Sequence, residues 1–197
     1  MRSAELRKIS TNPRCPDAAE KKMKWSKVKK LVEDSFADSV RGRVRICSTW
    51  YQCRCGRGWI TIDGKQIVDL STHAAWQKYD AVYHESTKTA WRNHPSVPDE
   101  QRTPGHLAEK GEFSRFDLHE ACWEYLHSNV HQALSSDNPL LVSLAVLNAK
   151  VGKTRLVQLA QEKLHPLSHA LLLFRMQAEG LSRPAASDGG SGESGKG

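Results

Sequence analysis

Glu120, Glu124, His127 and His131 recur at intervals of four, three and four residues, which on one continuous helix puts all four on one side. Glu124-x-x-His127 is half of a di-iron carboxylate site, and His127-x3-His131 is a two-histidine ligand pair. The same four residues flank an apolar stripe, where any amphipathic helix carries polar side chains. We therefore expect a solvated flank and assign no metal. Cys53 and Cys55, with Cys47 nearby, lack the second C-x2-C pair that structural zinc takes, and read as incidental thiols. Val151-Gly152-Lys153-Thr154 has the ending of a phosphate-binding loop, but the first glycine of that motif is replaced by Leu147, so we read a helix C-cap followed by a basic turn. His165 and His169 receive no role, and no Gly-x-Ser-x-Gly elbow supports nucleophilic catalysis. No cofactor is expected.

The charge pattern is more informative. Residues 1 to 60 hold 15 Lys+Arg against 6 Asp+Glu, whereas the rest of the chain holds 14 against 16. Lys24, Lys27, Lys29 and Lys30 fall in the first two turns of a helical pattern, with Glu33, Asp34 and Asp38 toward its other end. This order opposes the helix dipole, so helix stability does not explain it. The next strand adds Arg43 and Arg45 on one face with Tyr51, and the following loop adds Arg54 and Arg57 beside Trp59. Arginine interleaved with aromatics clamps phosphates and stacks bases. A solvated surface with no specific partner is the plainer account of the same charges.

The elements that must position these residues are legible from periodicity. Trp25, Val28, Leu31, Val32, Phe36 and Val40 predict a helix of about four turns over 24–40, with Gly42 placed for its C-terminus. Alternation from Arg43 to Tyr51 predicts a strand, and Gln52 to Gly58 a turn. Asp63-Gly64 between β-prone runs predicts a hairpin pairing Ile62 with Lys65 and Ile60 with Ile67. Thr72 is expected to cap a helix carrying Trp76, Tyr79, Val82 and Tyr83. Prolines and glycines over 91–111 predict a loop or boundary. Ser114 and Asp117 predict a capping box, with Phe113 stapled on Leu118 and a buried stripe of Phe116, Trp123, Leu126, Val130 and Leu134. Asn138-Pro139 opens a helix to Gly152, Thr154–Leu164 is a third, and Pro166 to Gly180 a fourth.

The expectation is an α+β chain: an N-terminal helix on a three-stranded antiparallel meander, followed by a C-terminal bundle of short helices. Residues 1–22 are read as an extension preceding a native start at Met23, 23–90 as the helix and sheet part, 91–112 as a loop, 113–180 as the helical part, and 181–197 as a disordered tail. The longest apolar run, Leu140 to Leu147, is far short of the roughly 20 residues that cross a bilayer. Without a signal-peptide pattern and with five irregularly spaced cysteines, the expected compartment is the cytoplasm.

Met23-Lys24-Trp25-Ser26-Lys27, Arg41-Gly42-Arg43-Val44 and Trp59-Ile60-Thr61-Ile62-Asp63-Gly64 resemble an uncharacterised family of small bacterial proteins that begin with a similar stretch. Asn138-Pro139-Leu140 through Val151-Gly152-Lys153 resembles the helical C-terminal part of that family. The resemblance covers 23–70 and 113–156 and implies a bacterial accessory protein with no established activity. The functional expectation is a non-enzymatic protein that binds nucleic acid or another anionic partner through Lys24, Lys27, Arg43, Arg45, Arg54 and Arg57, with Tyr51 and Trp59. An inhibitor or immunity-type module with an acidic protein partner is the alternative. A metal-dependent enzyme is third.

Overall fold

The computed structural model describes residues 23–51, 56–85 and 107–181, with the backbone alone for 79–85. The expected extension, tail, most of the 91–111 loop and the Tyr79, Val82 and Tyr83 stripe lie outside the described side chains. In chain order the elements are α1 (Trp25–Asp34), β1 (Val44–Trp50), β2 (Gly56–Ile62), β3 (Lys65–Ser71), α2 (Thr72–Glu85), α3 (Arg115–His127), α4 (Val130–Leu134), α5 (Pro139–Ala145), α6 (Lys153–Leu159) and α7 (Pro166–Ala178). The expected α+β architecture is therefore present. Among the described residues no helix is long and apolar enough to cross a membrane.

The three strands form an antiparallel sheet in the order β1-β2-β3. Asp63 and Gly64 both take positive φ, 49° and 81°, which is the type I′ geometry that matches the twist of a hairpin. Ile62 faces Lys65 as expected, but Ile60 faces Val68, because a bulge between Ile60 and Thr61 leaves Ile67 without a partner on β2. Residues 56–58 belong to β2 and not to the expected turn; the rest of that turn falls on residues 52–55, outside the described set. One sheet face, with Val44, Ile46, Ile60, Val68 and Leu70, is buried in a single core that extends through α1, α3, α5, α6 and α7.

α1 is shorter than its periodicity implies. Ser35 Oγ donates to Val32 O at 2.6 Å. Phe36 then bridges to Asn148, and Ala37 N donates to Leu147 O at 2.8 Å. Phe36 and Val40 are fully buried nonetheless, on a turn instead of a helix. The turn they meet, between α5 and α6, is gripped by Arg175, which donates to the carbonyls of Val146, Asn148 and Val151 at 2.8, 2.6 and 2.7 Å. This turn also corrects two expectations: α5 stops at Ala145, and Gly152 is the N-cap of α6 rather than a helix C-cap.

Local capping chemistry decides the other helix ends. Ser114 and Asp117 form the expected box on α3, and Asn138 accepts from Leu140 N with Pro139 at the first position of α5. Ser71, not Thr72, caps α2, since Ala74 N donates to Ser71 Oγ at 3.3 Å. The expected long stripe is corrected as well. Asn129 and Gln132 form a second capping box that starts α4, so the 115–134 segment is two helices. The buried face of α3 is Leu118, Ala121, Cys122 and Tyr125, while Phe116 is 44% exposed. α3 lies close on β2: a Cβ on Gly58 would stand 2.7 Å from Leu118 Cδ2.

Candidate functional site

Most of the described basic residues between Lys24 and Arg57 have acidic partners. Lys29 and Lys30 reach Glu33 and Asp34 at 3.7 and 2.6 Å, and Arg41 reaches Asp38 at 2.8 Å. Arg43 makes a bidentate pair with Asp63, with Nε and Nη2 donating at 2.9 and 2.7 Å, and lies over the Phe174 ring at 4.6 Å. That hydrogen bond holds the Asp63 carboxyl below its ordinary range and raises Arg43. Arg57 donates to Asp69 Oδ1 at 2.7 Å and Gln66 Oε1 at 2.5 Å, and its guanidinium sits 5.0 Å from the Trp59 ring centre. Arg45 is exposed opposite Thr61, with a long contact of 3.4 Å to Gly42 O. Among the described residues no carboxylate pairs with Arg45, Lys24 or Lys27; Arg54 lies outside them. Asp63 and Asp69, which lie beyond residue 60, thus offset two of the nine surplus positive charges of residues 1–60.

An arginine that the sequence reading passed over is in a different state. Ser114 starts α3, and the first helical residue, Arg115, sends its side chain across Gly56, where an added Cβ would collide with Arg115 Cδ. Its Nε donates to Ser48 Oγ at 2.7 Å, and its guanidinium carbon lies 4.4 Å from the Trp50 ring centre and 5.8 Å from that of Phe116. Phe116 meets Trp50 edge-on, with centroids 5.9 Å apart at 88°. Ser48 Oγ lies 2.9 Å from His119 Nε2, and His119 stacks on Trp25 at 3.8 Å and 6°. Partial burial lowers the Arg115 pKa, but a guanidinium remains charged at any physiological pH. Among the described residues no carboxylate pairs with it, and its two terminal nitrogens stay available. Trp50 and Phe116 around it are 52% and 44% exposed.

Ser48 Oγ accepts from Arg115 Nε and shares a second hydrogen bond with His119 Nε2, whose direction is set by the imidazole tautomer. Burial, then the Arg115 charge, hold His119 down to about 4, so the imidazole is neutral near pH 7. A hydroxyl and an imidazole in contact suggest a nucleophile and base. Here the hydroxyl is engaged by a cation and the imidazole is a weak base, so the pair seats Arg115. What the arrangement offers is a fixed guanidinium with free donors inside an exposed aromatic frame, beside α1 with Lys24 and Lys27.

The metal candidates do not converge. Glu120 and Glu124 are exposed on α3, His131 is on α4 beyond the break, and His127 Nδ1 lies 2.7 Å from Trp123 O. A second Glu-x-x-His, Glu162 to His165, also stands in the sequence. Its members are turned elsewhere: Glu162 accepts from Arg155 at 2.8 Å, and His165 Nε2 meets Glu112 Oε1 at 2.9 Å. Among the described residues no group of three or more His, Cys, Asp or Glu could hold a metal ion. Burial pushes the Cys122 thiol up, away from reactivity; Cys53 and Cys55 lie outside the described residues. A pocket of about 280 Å³ opens between β3, the start of α2 and residues 108–111, where Asp69 is already engaged by Arg57. Residues 24–176 match the model of the SF0329 protein family. No curated protein and no solved structure matches the chain.

Proposed function

The chain belongs to the SF0329 protein family, and we propose that it is a non-enzymatic binding protein of the bacterial cytoplasm whose anionic partner is nucleic acid, held at Arg115. The observation that supports this reading is the state of that one residue. Arg43 and Arg57 have bound carboxylates of their own, whereas Arg115 is fixed by Ser48 and framed by exposed Trp50 and Phe116 with no carboxylate among the described residues. A cation already ordered in this way loses little entropy on meeting a phosphate. Lys24 and Lys27 extend the positive surface, and Arg43, Arg45 and Arg57 become peripheral to it.

Fluorescence anisotropy with labelled mixed-sequence nucleic acid tests the proposal. The expected result is an affinity that falls log-linearly with salt, an Arg115→Ala loss of about tenfold or more, and a slope reduced by about one phosphate's share. Salt-independent affinity, or unchanged binding by Arg115→Ala, overturns it. An acidic protein partner of inhibitor or immunity type would use the same exposed aromatics and arginine. A nuclease-resistant complex on co-purification would favour that second reading.

A further inference from the structure

Resting on the nucleic-acid reading, we infer that the ligand is single-stranded, with a phosphodiester on Arg115 and unstacked bases on Trp50 and Phe116. A duplex presents phosphates outside and hides base faces in its own stack, so a duplex-binding surface needs a track of free cations and has no use for exposed rings. This surface has the opposite composition. Two aromatic rings are contiguous in it: Trp50 contacts Phe116 edge-on. Both are about half exposed, although burial is the default for large apolar side chains. Among the described arginines of the sheet, Arg43 and Arg57 are closed by Asp63 and Asp69, and Arg45, without a carboxylate partner, lies on the face of β1 opposite buried Val44 and Ile46, so they form no track.

The geometry of Arg115 suits the same ligand. Ser48 occupies Nε and the Trp50 ring occupies one face, which leaves the terminal nitrogens for a phosphodiester next to the aromatic surface. A nucleotide held there by its phosphate has its base within reach of Trp50 or Phe116. From Arg115 the contacts run through Ser48 and His119 to Trp25, whose neighbours Lys24 and Lys27 are exposed and without a carboxylate partner among the described residues. Three such cations define a short footprint. At about 0.7 per neutralised phosphate on a single strand, they predict a salt slope of about −2.

The test compares a labelled single strand with the duplex of the same sequence, and adds inorganic polyphosphate as a competitor. The expected result is single-strand affinity at least about tenfold above duplex, with a slope near −2 and quenched tryptophan emission that Trp50→Phe diminishes. Trp50→Ala and Phe116→Ala should each lose about tenfold for the single strand while leaving the slope unchanged; Arg115→Ala should reduce the slope by about 0.7. Unchanged thermal melts of these surface variants separate lost stacking from lost folding. Equal or tighter duplex binding that still depends on Arg115 overturns this inference and leaves the nucleic-acid reading standing. Polyphosphate competing as well as the single strand, with Trp50→Ala and Phe116→Ala silent, reduces the site to an anion site and also overturns it. No binding to either nucleic acid removes both.

Discussion

Arg115 and Arg175 both project from helices into the body of the protein, yet they do opposite things. Arg175 is 2% exposed and has all three guanidinium nitrogens engaged: Nε by Glu179 at 2.9 Å, and Nη1 and Nη2 by the carbonyls of Val146, Asn148 and Val151. Among the described residues Arg115 has only Nε engaged, by a neutral hydroxyl, and it leans on rings that are themselves exposed. A buried guanidinium with every donor satisfied organises a turn, and removing it leaves orphaned acceptors. A guanidinium fixed at one nitrogen is held ready for something else. Donor saturation separates the structural arginine from the candidate functional one more sharply than net charge does.

The largest effect should come from the saturated member. Arg175→Met leaves three turn carbonyls and the Glu179 carboxylate without their partner, which should cost about 3–5 kcal/mol. For a chain of this size that is a fall of about 10 °C in melting temperature. Denaturation should register this loss while the folded fraction keeps its affinity for nucleic acid. Arg115→Ala should show the reverse, with binding lost and the melt nearly unchanged. If both variants lose stability equally, the distinction between the two arginines fails.

How much of this was readable beforehand depends on the range of the interaction that decides it. The Asp63-Gly64 turn, the Ser114 box and the Asn138-Pro139 start are each settled within a few residues and agree with the sequence expectation, whereas the bulge that moves Ile60 from Ile67 to Val68 does not. The end of α1 was not, because Phe36 and Val40 stay in phase with the helix while the backbone leaves to pair with Leu147 and Asn148. The face of α3 was misread because Phe116 and Trp123 outweigh Ala121 and Cys122 in hydrophobicity. What sets that face is close approach over Gly58, which only small residues and Leu118 permit. Arg115 carried no local signal, since its seat, Ser48, is 67 residues away. The neutralisation of Arg43, by contrast, was within reach: once Ile62 is opposite Val44, Asp63 lies beside Arg43.

A middle-sized effect should distinguish the two seats by pH. The Arg175 seat contains no histidine, its guanidinium being held by three carbonyls and the Glu179 carboxylate, whereas the Arg115 seat rests on His119, held at about 4 against its ordinary 6.5. Between these values the unfolded chain binds more protons than the folded one, so stability is complete above about 6.5 and falls as pH drops toward 4. Because the ring is only partly buried, solvent screening limits this loss to about 1–2 kcal/mol. His119→Gln should flatten that part of the profile, measured as urea unfolding at pH 7 and pH 4.5. An equal drop in both proteins would show that His119 does not gate the seat.

The smallest effect should be at Arg43, which sequence position alone had put near the centre of the basic face. Its bidentate partner Asp63 is about half exposed, and both groups remain in contact with solvent. Exposed pairs contribute little to stability, so Arg43→Ala should move the melting temperature by about 2 °C or less, with part of that loss reflecting the contact with Phe174. Nucleic-acid affinity and salt slope should match the unmodified protein, because the charge removed was already compensated and freeing Asp63 adds only one exposed anion at the far end of β1 from Trp50. A loss of affinity as large as that from Arg115→Ala would place the anionic partner along the whole strand, and donor saturation would then be the wrong guide to which arginines bind.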